Sequence, residues 1–361
     1  MELYPVIMAG GSGTRFWPAS RARCPKQFLN IIGSKTMFEE TLHRVKPLAA
    51  EDHTIIVSSK EHHQILYNLL GENRSVILEE PCGRNTAPGI GHAALYLKKQ
   101  GILDQPMVVL PADHFIADEA TFRKILSIGG TLAQTGDIIT IGIVPSRPET
   151  GYGYLERGEV KNEIEGIPAY AVKRFIEKPD QKTALAYLNS GDFFWNSGIF
   201  IFTPETILEE IKLHLPSVYG GLQTIEEAMG TSGYQEISSS VYQRMPSLSI
   251  DYGVMEKTKR TVLTLPGDFG WSDVGSWESL YDLRKKETDK EENLTQGDVI
   301  LIDTQSSLAF SQSGKMVVGL GIKNLLIVNT EDVVFVGDLK KSQDIKKIIE
   351  ALKERNQHHL L

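Results

Sequence analysis

Residues 6–18 read VIMAGGSGTRFWP, and residues 25–28 read PKQF. The apolar start of this stretch predicts a strand that runs into a loop rich in glycine. Glycines at the end of a strand accept positive φ angles and let a ligand approach the backbone closely, and the free N–H groups of such a loop bind anions. Arg15 and Lys26 add mobile positive charge beside the loop. The stretch therefore predicts a polyphosphate site at the end of the first strand.

Two common phosphate-binding signatures do not fit this loop. The dinucleotide fingerprint needs a glycine at the sixth position of G-x-G-x-x-G, and that position is Phe16 when counted from Gly11. A P-loop ends in Gly-Lys followed by Ser or Thr, and the sequence does not have that ending here. The glycines alone are equally typical of a tight turn after a buried strand. Arg15 and Lys26 move the interpretation towards phosphate binding.

The composition is ordinary for a globular protein and acidic. Of 361 residues, 41% are hydrophobic, and the net charge is -8. Nucleic-acid binding normally needs a basic face, whereas a nucleotide substrate needs only a few local cations. Cys24 and Cys82 are too few for a disulfide framework or a cysteine zinc site. Apolar runs fall short of the ~20 residues of a membrane helix, and the N-terminus lacks a signal-peptide pattern. We therefore expect a cytoplasmic protein with neither nucleic acid nor a membrane as partner.

Strand-like and helix-like patterns alternate in the first half of the chain. This alternation predicts an α/β fold with a Rossmann-like mixed sheet, mostly parallel in its first half and covered on both faces. Ligands of such sheets bind beyond the carboxyl ends of the strands, where the glycine-rich loop and Asp113 are expected. The predicted strands span residues 4–9, 54–58, 75–78, 107–110 and 138–143, and the predicted helices span residues 37–44, 62–69 and 87–98.

The pattern changes after residue 143. Residues 148–202 are expected to form an inserted, mainly antiparallel region over the ligand crevice. The charged run KKETDKEEN at residues 285–293 is interpreted as a solvated connector. It predicts a catalytic domain at residues 1–285 and a small β-rich C-terminal domain at residues 293–361, whose short strands could form a left-handed β-helix or a sandwich. The terminal helix carries an apolar stripe, made by Ile345, Ile348, Ile349 and Leu352.

Several polar residues stand in predicted loops, and each has a structural alternative. Asp113 ends an apolar strand, and a rim aspartate is usually a turn or cap residue, but its place opposite the phosphate loop favours metal binding. Asn85 and Thr86 precede a predicted helix, so helix capping and hydrogen bonding to a nucleobase edge both remain open. Asp273 and Asp251 also lie in loops, where an aspartate often only turns the chain.

Four residues after position 150 suit a sugar phosphate. Carboxylates, amides and backbone groups bind sugar hydroxyls, and a lysine binds the phosphate. Glu177, Asn196 and the backbone of Gly153 fit the first role, and Lys178 fits the second. Each residue alone is weak evidence, because an asparagine before Ser-Gly is usually a turn residue.

The sequence resembles a known family through these motifs. GGSGTRFWP and PKQF are similar to motifs of the nucleotidyltransferases that make nucleotide sugars, and among them to the mannose-1-phosphate guanylyltransferases. The motifs GRNTAP, LPADH, PETGYGY, EKP and WNSG extend the resemblance over residues 1–285. The resemblance implies a glycosyltransferase-A-like core that transfers GMP from GTP to α-D-mannose 1-phosphate, giving GDP-mannose and pyrophosphate.

The resemblance also implies a role for each candidate residue. It implies that Asp113 and Asp273 bind one Mg²⁺ ion, and that Arg15 and Lys26 balance the negative charge of the leaving pyrophosphate. The sugar phosphate would contact Gly153, Glu177, Lys178 and Asn196. The nucleotide would contact Ala9, Gly10, Gly11, Ser12, Gly13, Thr14, Asn85, Thr86 and Ala87.

Two alternatives and two further expectations accompany this hypothesis. A catalytically inactive homologue that binds a nucleotide sugar and regulates a partner should have lost a metal aspartate or the Arg15/Lys26 pair, and the sequence keeps all four. A nucleotidyltransferase with a different base or sugar preference is the second alternative. Some family members carry a further isomerase domain, and this chain is too short for one, so a single activity is expected. The short C-terminal region predicts a homodimer in which it packs between subunits.

Overall fold

The computed structural model describes residues 2–11 and 13–361. Its contacts divide the chain into two compact units. The first comprises residues 2–10, 41–112 and 116–271, and the second comprises Gly11–Glu40, Asp113–Phe115 and Ser272–Leu361. The strands are β1 (Tyr4–Met8), β2 (Ile55–Ser59), β3 (Val76–Glu80), β4 (Met107–Pro111), β5 (Phe115–Ile116), β6 (Ile138–Ile143), β7 (Tyr154–Ile164), β8 (Ile167–Ile176), β9 (Phe193–Phe202), β10 (Val262–Pro266), β11 (Trp271–Ser272), β12 (Leu294–Gln296), β13 (Val299–Ile302), β14 (Leu308–Ser311), β15 (Val317–Leu320), β16 (Leu325–Asn329) and β17 (Val334–Asp338). The α-helices are α1 (Met37–Val45), α2 (His63–Leu70), α3 (Thr86–Lys99), α4 (Glu119–Ala133), α5 (Gln181–Ser190), α6 (Pro204–His214), α7 (Pro216–Ala228), α8 (Tyr234–Arg244), α9 (Trp277–Leu283) and α10 (Ile345–Glu354).

The first unit is built on a mixed nine-stranded sheet with the order β3-β2-β1-β4-β9-β6-β10-β8-β7. Strands β1 to β4 are parallel to one another, as the alternation of strand and helix patterns predicted. Strand β1, which lies between β2 and β4, is apolar and almost fully buried, which is typical of a strand covered on both faces. The Rossmann-like mixed sheet and its predicted strands and helices are confirmed.

The strands after residue 143 do not form a separate region. Strands β7 and β8 make an antiparallel pair, as expected, but both belong to the main sheet. Strand β9 lies inside that sheet, antiparallel to β4 and to β6. The interpretation of residues 148–202 as an inserted region is therefore wrong in this respect: β9 is apolar and buried along nearly its whole length, so the sheet itself is the place where it can be covered.

Close helix packing covers one face of this sheet. Helix α3 contacts α6 and α7, and the three contribute to one apolar core with the sheet. Gly91 of α3 makes the approach possible, because a Cβ atom there would lie 2.4 Å from Leu222 Cδ1. Helix α6 begins where the Thr203 hydroxyl accepts a hydrogen bond from the Thr206 amide, with Pro204 in its first turn.

The second unit contains a short β-helix. Strands β12, β14 and β16 stack in parallel, so that Leu294, Leu308 and Leu326 lie in register. Strands β13 and β15 form a second parallel pair, and β17 closes the first stack in the antiparallel sense. Successive parallel strands in two sheets are the pattern of a β-helix, whereas a sandwich would pair its strands mainly in the antiparallel sense. The β-rich C-terminal region with its terminal helix is confirmed.

The core of the second unit joins the start of the chain to its end. Phe16 and Trp17 pack in one buried cluster with the β-helix leucines and with Trp277, and the Trp17 indole N–H donates to the Leu360 carbonyl at 2.8 Å. Ile345 and Ile349 of α10 are buried in the same cluster. The apolar stripe of the terminal helix is thus covered within the chain, and it is not the surface that a second subunit would need.

The charged run at residues 285–293 lies within the second unit. Most of it is exposed, as expected for a solvated segment, but its end is fixed. The buried Asn293 side chain donates to Asp289 Oδ2 at 3.1 Å and to the Thr304 carbonyl at 2.8 Å. The division into domains at residues 1–285 and 293–361 remains a prediction. Among the described residues, none of the helices has the length and apolar content to cross a membrane.

Candidate active site

A polar pocket in the second unit collects most of the residues assigned to phosphate and metal binding. Its volume is about 360 Å³. The loop residues belong to the first segment of the second unit. The two aspartates lie far from this loop, and from each other, in the sequence. The lining residues are Gly13, Thr14, Arg15, Lys26, Asp113, His114, Asp273 and Gly275.

Gly13 explains why the loop needs glycine. Its φ angle is +54°, and a Cβ atom would lie 2.4 Å from the Lys26 amide nitrogen and 2.8 Å from Pro25 Cβ. Any side chain would therefore force the PKQF turn away from the loop. The Ser20 hydroxyl donates to the Gly13 carbonyl at 2.6 Å, and a 3-10 turn begins at the next residue, Thr14. Ser12, also predicted to bind the nucleotide, lies outside the described residues.

Lys26 is buried and makes three polar contacts through its ammonium group. The side chain is 7% exposed, and Nζ lies 2.8 Å from Asp113 Oδ2. It also donates to the carbonyls of Asp273 at 2.5 Å and Val274 at 3.0 Å. An ammonium group has three N–H donors, so these contacts use all of them. Lys26 therefore binds the segment of Asp113 and the segment of Asp273, and connects both to the PKQF turn.

The two aspartates present hard oxygen ligands to the same pocket. Burial acts to raise the pKa of Asp113, but the Lys26 ammonium and His114 outweigh it and lower that pKa below its ordinary value. Asp113 is therefore ionised at neutral pH. Asp273 Oδ1 accepts from the Gly275 amide at 3.1 Å. A carboxylate pair fits Mg²⁺, which prefers oxygen ligands and retains water or phosphate oxygens in the rest of its shell. Among the described residues, no cluster of three or more His, Cys, Asp or Glu side chains could hold a metal alone.

The loop at residues 84–87 has its polar groups committed to structure. Asn85 is the N-cap of α3, with φ +65°, and its Oδ1 accepts from the Thr86 amide at 2.9 Å. Thr86 Oγ1 accepts from the Ile250 amide at 2.9 Å, and the Ala87 amide donates to the Leu248 carbonyl. The capping alternative therefore describes the contacts that Asn85 and Thr86 make. Their assignment to the nucleobase remains a prediction.

Glu80 is a further candidate, which the sequence alone does not reveal. It ends β3, is 5% exposed, and its Oε1 has no hydrogen-bond partner within the described part of the chain. Its carboxylate adjoins the start of the glycine-rich loop, because a Cβ on Gly10 would lie 3.7 Å from Oε2, and it adjoins α3 at Gly89, where the corresponding distance to Oε1 is 3.2 Å. Burial raises its pKa to about 7. A glutamate before Pro-Cys-Gly reads as part of a loop, so the sequence offered only its place at the end of a strand as a signal.

The residues assigned to the sugar phosphate lie together in the first unit. A Cβ on Gly153 would lie 2.4 Å from Glu177 Oε2 and 3.3 Å from Asn196 Cβ, so glycine leaves room for both side chains. Lys178 forms an ion pair with Glu177. Asn196 Nδ2 donates to Asp251 Oδ1 at 3.0 Å, which makes Asp251 a support for Asn196. Burial and the nearby Glu177 raise the pKa of Asp251 to about 6.

The remaining nucleotide candidates lie around the end of β1. Ala9 is buried, its amide donates to the Val57 carbonyl at 2.8 Å, and its carbonyl accepts from the Ser58 hydroxyl at 3.0 Å. Gly10 is exposed, and Gly11 has a φ angle of +101°. The first unit thus holds Ala9 and Gly10 together with the base and sugar candidates, and the second unit holds the phosphate and metal candidates.

Two family models match consecutive parts of the chain. The model described as nucleotidyl transferase matches residues 4–290, and the model of the MannoseP isomerase/GMP-like beta-helix domain matches residues 297–352. The first match covers most of the chain, so the chain is a nucleotidyl transferase.

Relatives with known names identify the family within the nucleotidyl transferases. Mannose-1-phosphate guanylyltransferase from Escherichia coli (strain K12) is 41% identical over 99% of this chain and 75% of its own length. The protein of the same name from Salmonella montevideo is 40% identical over 98% of this chain and 74% of its own length. The crystal structure of mannose-1-phosphate geranyltransferase from Thermus thermophilus has a TM-score of 0.86 and 32% identity, covering 98% of this chain and all of the other. The chain belongs to the mannose-1-phosphate guanylyltransferase family.

Proposed function

We propose that this chain transfers GMP from GTP to α-D-mannose 1-phosphate, producing GDP-mannose and pyrophosphate. The observation that carries the proposal is the pocket in which Arg15, Lys26, Asp113 and Asp273 occur together, in a chain similar to guanylyltransferases along nearly its whole length. A catalytically inactive regulatory homologue should lack one of these four charges, and no observation favours that alternative.

The reaction needs no nucleophile from the protein. A phosphate oxygen of mannose 1-phosphate attacks the α-phosphorus of GTP, a new P–O bond forms, and the bond to the β-phosphate oxygen breaks with its electron pair leaving on pyrophosphate. Both reactants are anions, so catalysis consists of positioning and of balancing charge. Arg15 lines the pocket as the cation for the triphosphate. Lys26 holds Asp113 and the Asp273 segment in place and contributes its charge beside them.

Mg²⁺ is the cofactor that we assign to Asp113 and Asp273. When bound, such an ion supplies positive charge to phosphate oxygens and orients them. The protein's own part is to keep Asp113 ionised, which the Lys26 ammonium does, and to fix Asp273 through the Gly275 amide.

The guanine base is assigned to the region between Gly10 and the start of α3, with Glu80 as its main polar partner. A carboxylate accepts hydrogen bonds only, and guanine presents two donors, N1–H and the N2 amino group, on one edge. Oε1 of Glu80 has no partner in the described residues, so a guanine edge would satisfy a buried acceptor. Adenine presents one donor, the N6 amino group, and an acceptor at N1, so it would pair with one carboxylate oxygen and leave the other facing N1.

The sugar is assigned to Glu177, Asn196 and the Gly153 backbone, and its phosphate to Lys178. Asp251 is a positioning residue here, since it holds the Asn196 amide. Lys178 is paired with Glu177, so both charged groups lie next to each other, one for the phosphate and one for the hydroxyls.

Two further properties belong to the proposal. The protein is assigned to the cytoplasm, where its nucleotide substrate occurs. It is also assigned to a homodimer formed through the β-helix, because one face of the β13–β15 sheet exposes aliphatic side chains. Ile300 is paired with Val318, and Ile302 with Leu320, and these four side chains are 44%, 62%, 51% and 68% exposed. Such contiguous apolar surface usually marks an interface.

The test is a pyrophosphate-release assay that crosses GTP, ATP, UTP and dTTP with mannose 1-phosphate and glucose 1-phosphate in the presence of Mg²⁺. We expect GTP with mannose 1-phosphate to give the highest kcat/KM and glucose 1-phosphate to be the nearest competing sugar. Two mismatched buried hydrogen bonds, at roughly 1–3 kcal/mol each, give ATP a disadvantage of ~10²-fold or more. A preference for UTP or dTTP would overturn the base assignment, and no release with any pair from a folded protein would overturn the activity.

A further inference from the structure

A large cavity lies in the first unit, apart from the candidate residues described above. Its volume is about 740 Å³, within the range of 300–1,000 Å³ that is typical of small-molecule sites. One wall is β3, the edge strand of the sheet, and the opposite wall is the first half of α8, with the end of α3 between them. No step of the proposed reaction uses this cavity.

The lining has the chemistry of a site for a phosphorylated molecule with a ring. Lys60 and Lys99 stand exposed at the rim and supply positive charge in a chain whose net charge is -8. Tyr234 and Gln235, in the first turn of α8, line the same cavity, and the helix carries no side-chain cap, so its first N–H groups favour an anion. The acidic group of the lining, Glu79, is paired with His63.

The interior of the cavity offers apolar and aromatic contacts and one unsatisfied polar group. Leu78, Tyr96 and Met229 provide surface on which a ring can pack. Ser238 is 3% exposed, and its hydroxyl has no hydrogen-bond partner among the described residues. A buried hydroxyl without a partner is unfavourable, and a ligand in the cavity would provide the missing partner.

Both walls of the cavity continue into the segment assigned to the guanine base. Strand β3 passes from Glu79, in the lining, to Glu80. Helix α8 lines the cavity at Tyr234 and holds Arg84 at its other end, where Arg84 Nε donates to the Tyr242 carbonyl at 2.7 Å and Nη2 to the Gln243 carbonyl at 2.5 Å. His92 joins the two ends of the helix, because it lies 3.0 Å from the Tyr234 hydroxyl and 3.3 Å from the Tyr242 hydroxyl.

We propose that this cavity is a second binding site, for a phosphorylated metabolite with a sugar or nucleobase ring, and that its occupancy changes the affinity for GTP through β3 and α8. The first part is independent of the proposed function, and the second part rests on it. Coupling between two binding sites is reciprocal, so GTP must change the affinity for the metabolite by the same factor.

The experiment uses the full chain and two probes that separate the possible sources of the ring. Isothermal titration calorimetry measures binding of AMP, for a nucleotide, and of mannose 6-phosphate, for a sugar phosphate, with inorganic phosphate as a baseline. Each titration is done with and without a saturating, non-hydrolysable GTP analogue. The test variant is Lys60→Ala/Lys99→Ala, and the matched control is Lys257→Ala/Lys259→Ala, which removes two exposed lysines elsewhere in the first unit.

We expect at least one probe to bind more tightly than inorganic phosphate, with one site per chain, also when the GTP analogue is present. The affinity should fall at least ~10-fold in the Lys60/Lys99 variant, as expected for losing charge-assisted contacts, and stay unchanged in the control. The GTP analogue should shift the affinity for the probe, and the probe should shift the affinity for the GTP analogue by the same factor. Ser238→Leu, which fills the interior, gives a second variant that should lose binding while thermal unfolding verifies its fold.

Failure of this inference differs from failure of the proposed function. Absence of saturable binding, or binding that the GTP analogue abolishes and Arg15→Ala weakens, would overturn the second site. Binding without any mutual shift would overturn the coupling. A protein that releases no pyrophosphate from GTP but still binds a probe at Lys60 and Lys99 would contradict the proposed function and leave the second site standing.

Discussion

The Lys26 ammonium lies 2.8 Å from Asp113 Oδ2 and also donates to the Asp273 carbonyl. One buried cation therefore bridges the two segments that carry the candidate metal ligands. Its compact, three-donor group suits this geometry, whereas the planar guanidinium of an arginine has a different donor arrangement. Lys26 therefore supports both aspartate segments, and under the proposed function its positive charge also acts on the substrate phosphates.

Lys26→Ala should lower kcat and weaken GTP binding more than GMP binding, because only GTP places charge on the β- and γ-phosphates. It should also raise the Mg²⁺ concentration needed for half-maximal rate, since Asp113 loses the cation that positions it. Initial rates over a Mg²⁺ series and calorimetric binding of GTP and GMP measure both effects. Lys26→Arg should recover little of either.

The control for Lys26 is Lys35→Ala, which removes an exposed lysine of the same unit. It should leave the Mg²⁺ dependence unchanged. If Lys26→Ala weakened GTP and GMP equally and left the Mg²⁺ dependence as it is, the ammonium would not act on the triphosphate or on the aspartates.

Asp113→Asn and Asp273→Asn each remove one charged oxygen while keeping the shape of the side chain. Turnover should fall at least ~10²-fold, which is the loss expected for one preorganised electrostatic contact, and the unfolding temperature should change little. Asp268→Asn, at an exposed aspartate close to Asp273 in the sequence, is the control. Near-normal turnover of both site variants at saturating Mg²⁺ would remove the metal from this pocket.

The fold of the first unit and most residues of the polar pocket were predictable, because both depend on local patterns. An apolar run predicts strand β1, and the glycine-rich sequence after it predicts the turn at Gly13. The contact between Lys26 and the segment after Asp273 was not predictable, because it joins residues nearly 250 positions apart. Glu80 was missed for a similar reason: its missing partner is a property of burial, and a sequence does not report burial of a polar residue at a strand end.

The β-helix illustrates the same limit. Its apolar runs predicted strands, but the parallel stacking of Leu294, Leu308 and Leu326 depends on turn geometry that a single sequence encodes weakly. The sequence predicts the apolar stripe of α10 and a contact of this stripe with a second subunit. In the structure Ile345 and Ile349 pack on the second unit's own core, which moves the expected subunit contact to the β13–β15 face.

Ile302→Asp/Leu320→Asp should convert the proposed dimer to a monomer, because charges in an apolar contact lose their hydration without gaining partners. Light scattering should give half the mass per particle, with little change in unfolding temperature of the monomer. A truncation at residue 290 would be a poorer test, since Phe16 and Trp17 pack against the strands that it removes. Val160→Asp, at an exposed valine of the first unit, should keep the wild-type mass. A wild-type chain that is already monomeric at micromolar concentration would contradict the dimer.

Glu80→Gln should reduce the discrimination between GTP and ATP. The amide offers one acceptor and one donor group where the carboxylate offers two acceptors, so a guanine edge would lose a hydrogen bond worth about 1–3 kcal/mol. The kcat/KM for GTP should fall ~10- to 100-fold, with little change in the low value for ATP. Glu72→Gln, at an exposed glutamate shortly before Glu80 in the sequence, should keep the wild-type ratio of kcat/KM for GTP to kcat/KM for ATP. An unchanged ratio in Glu80→Gln would remove Glu80 from the base site.

The same residue predicts a pH dependence of stability in the ligand-free protein. Burial raises the pKa of Glu80 from its ordinary 4.5 to about 7, so the folded state binds its proton more tightly than the unfolded state does. Below pH 4.5 the carboxyl is protonated in both states and burial has no ionic cost. The cost grows as the pH rises towards 7 and is then constant, at roughly 3 kcal/mol for a shift of this size. The Glu80→Gln side chain carries no charge and does not have this ionic cost.

Urea unfolding from pH 4.5 to 8.5 should therefore show that the variant gains stability over the wild type up to about pH 7. It should keep that gain above pH 7, while Glu72→Gln follows the wild type throughout. A stability difference that does not vary with pH would mean that Glu80 is ionised and hydrogen-bonded in the folded protein. Its carboxylate would then have no need of a guanine edge as a partner, and the assignment would be lost.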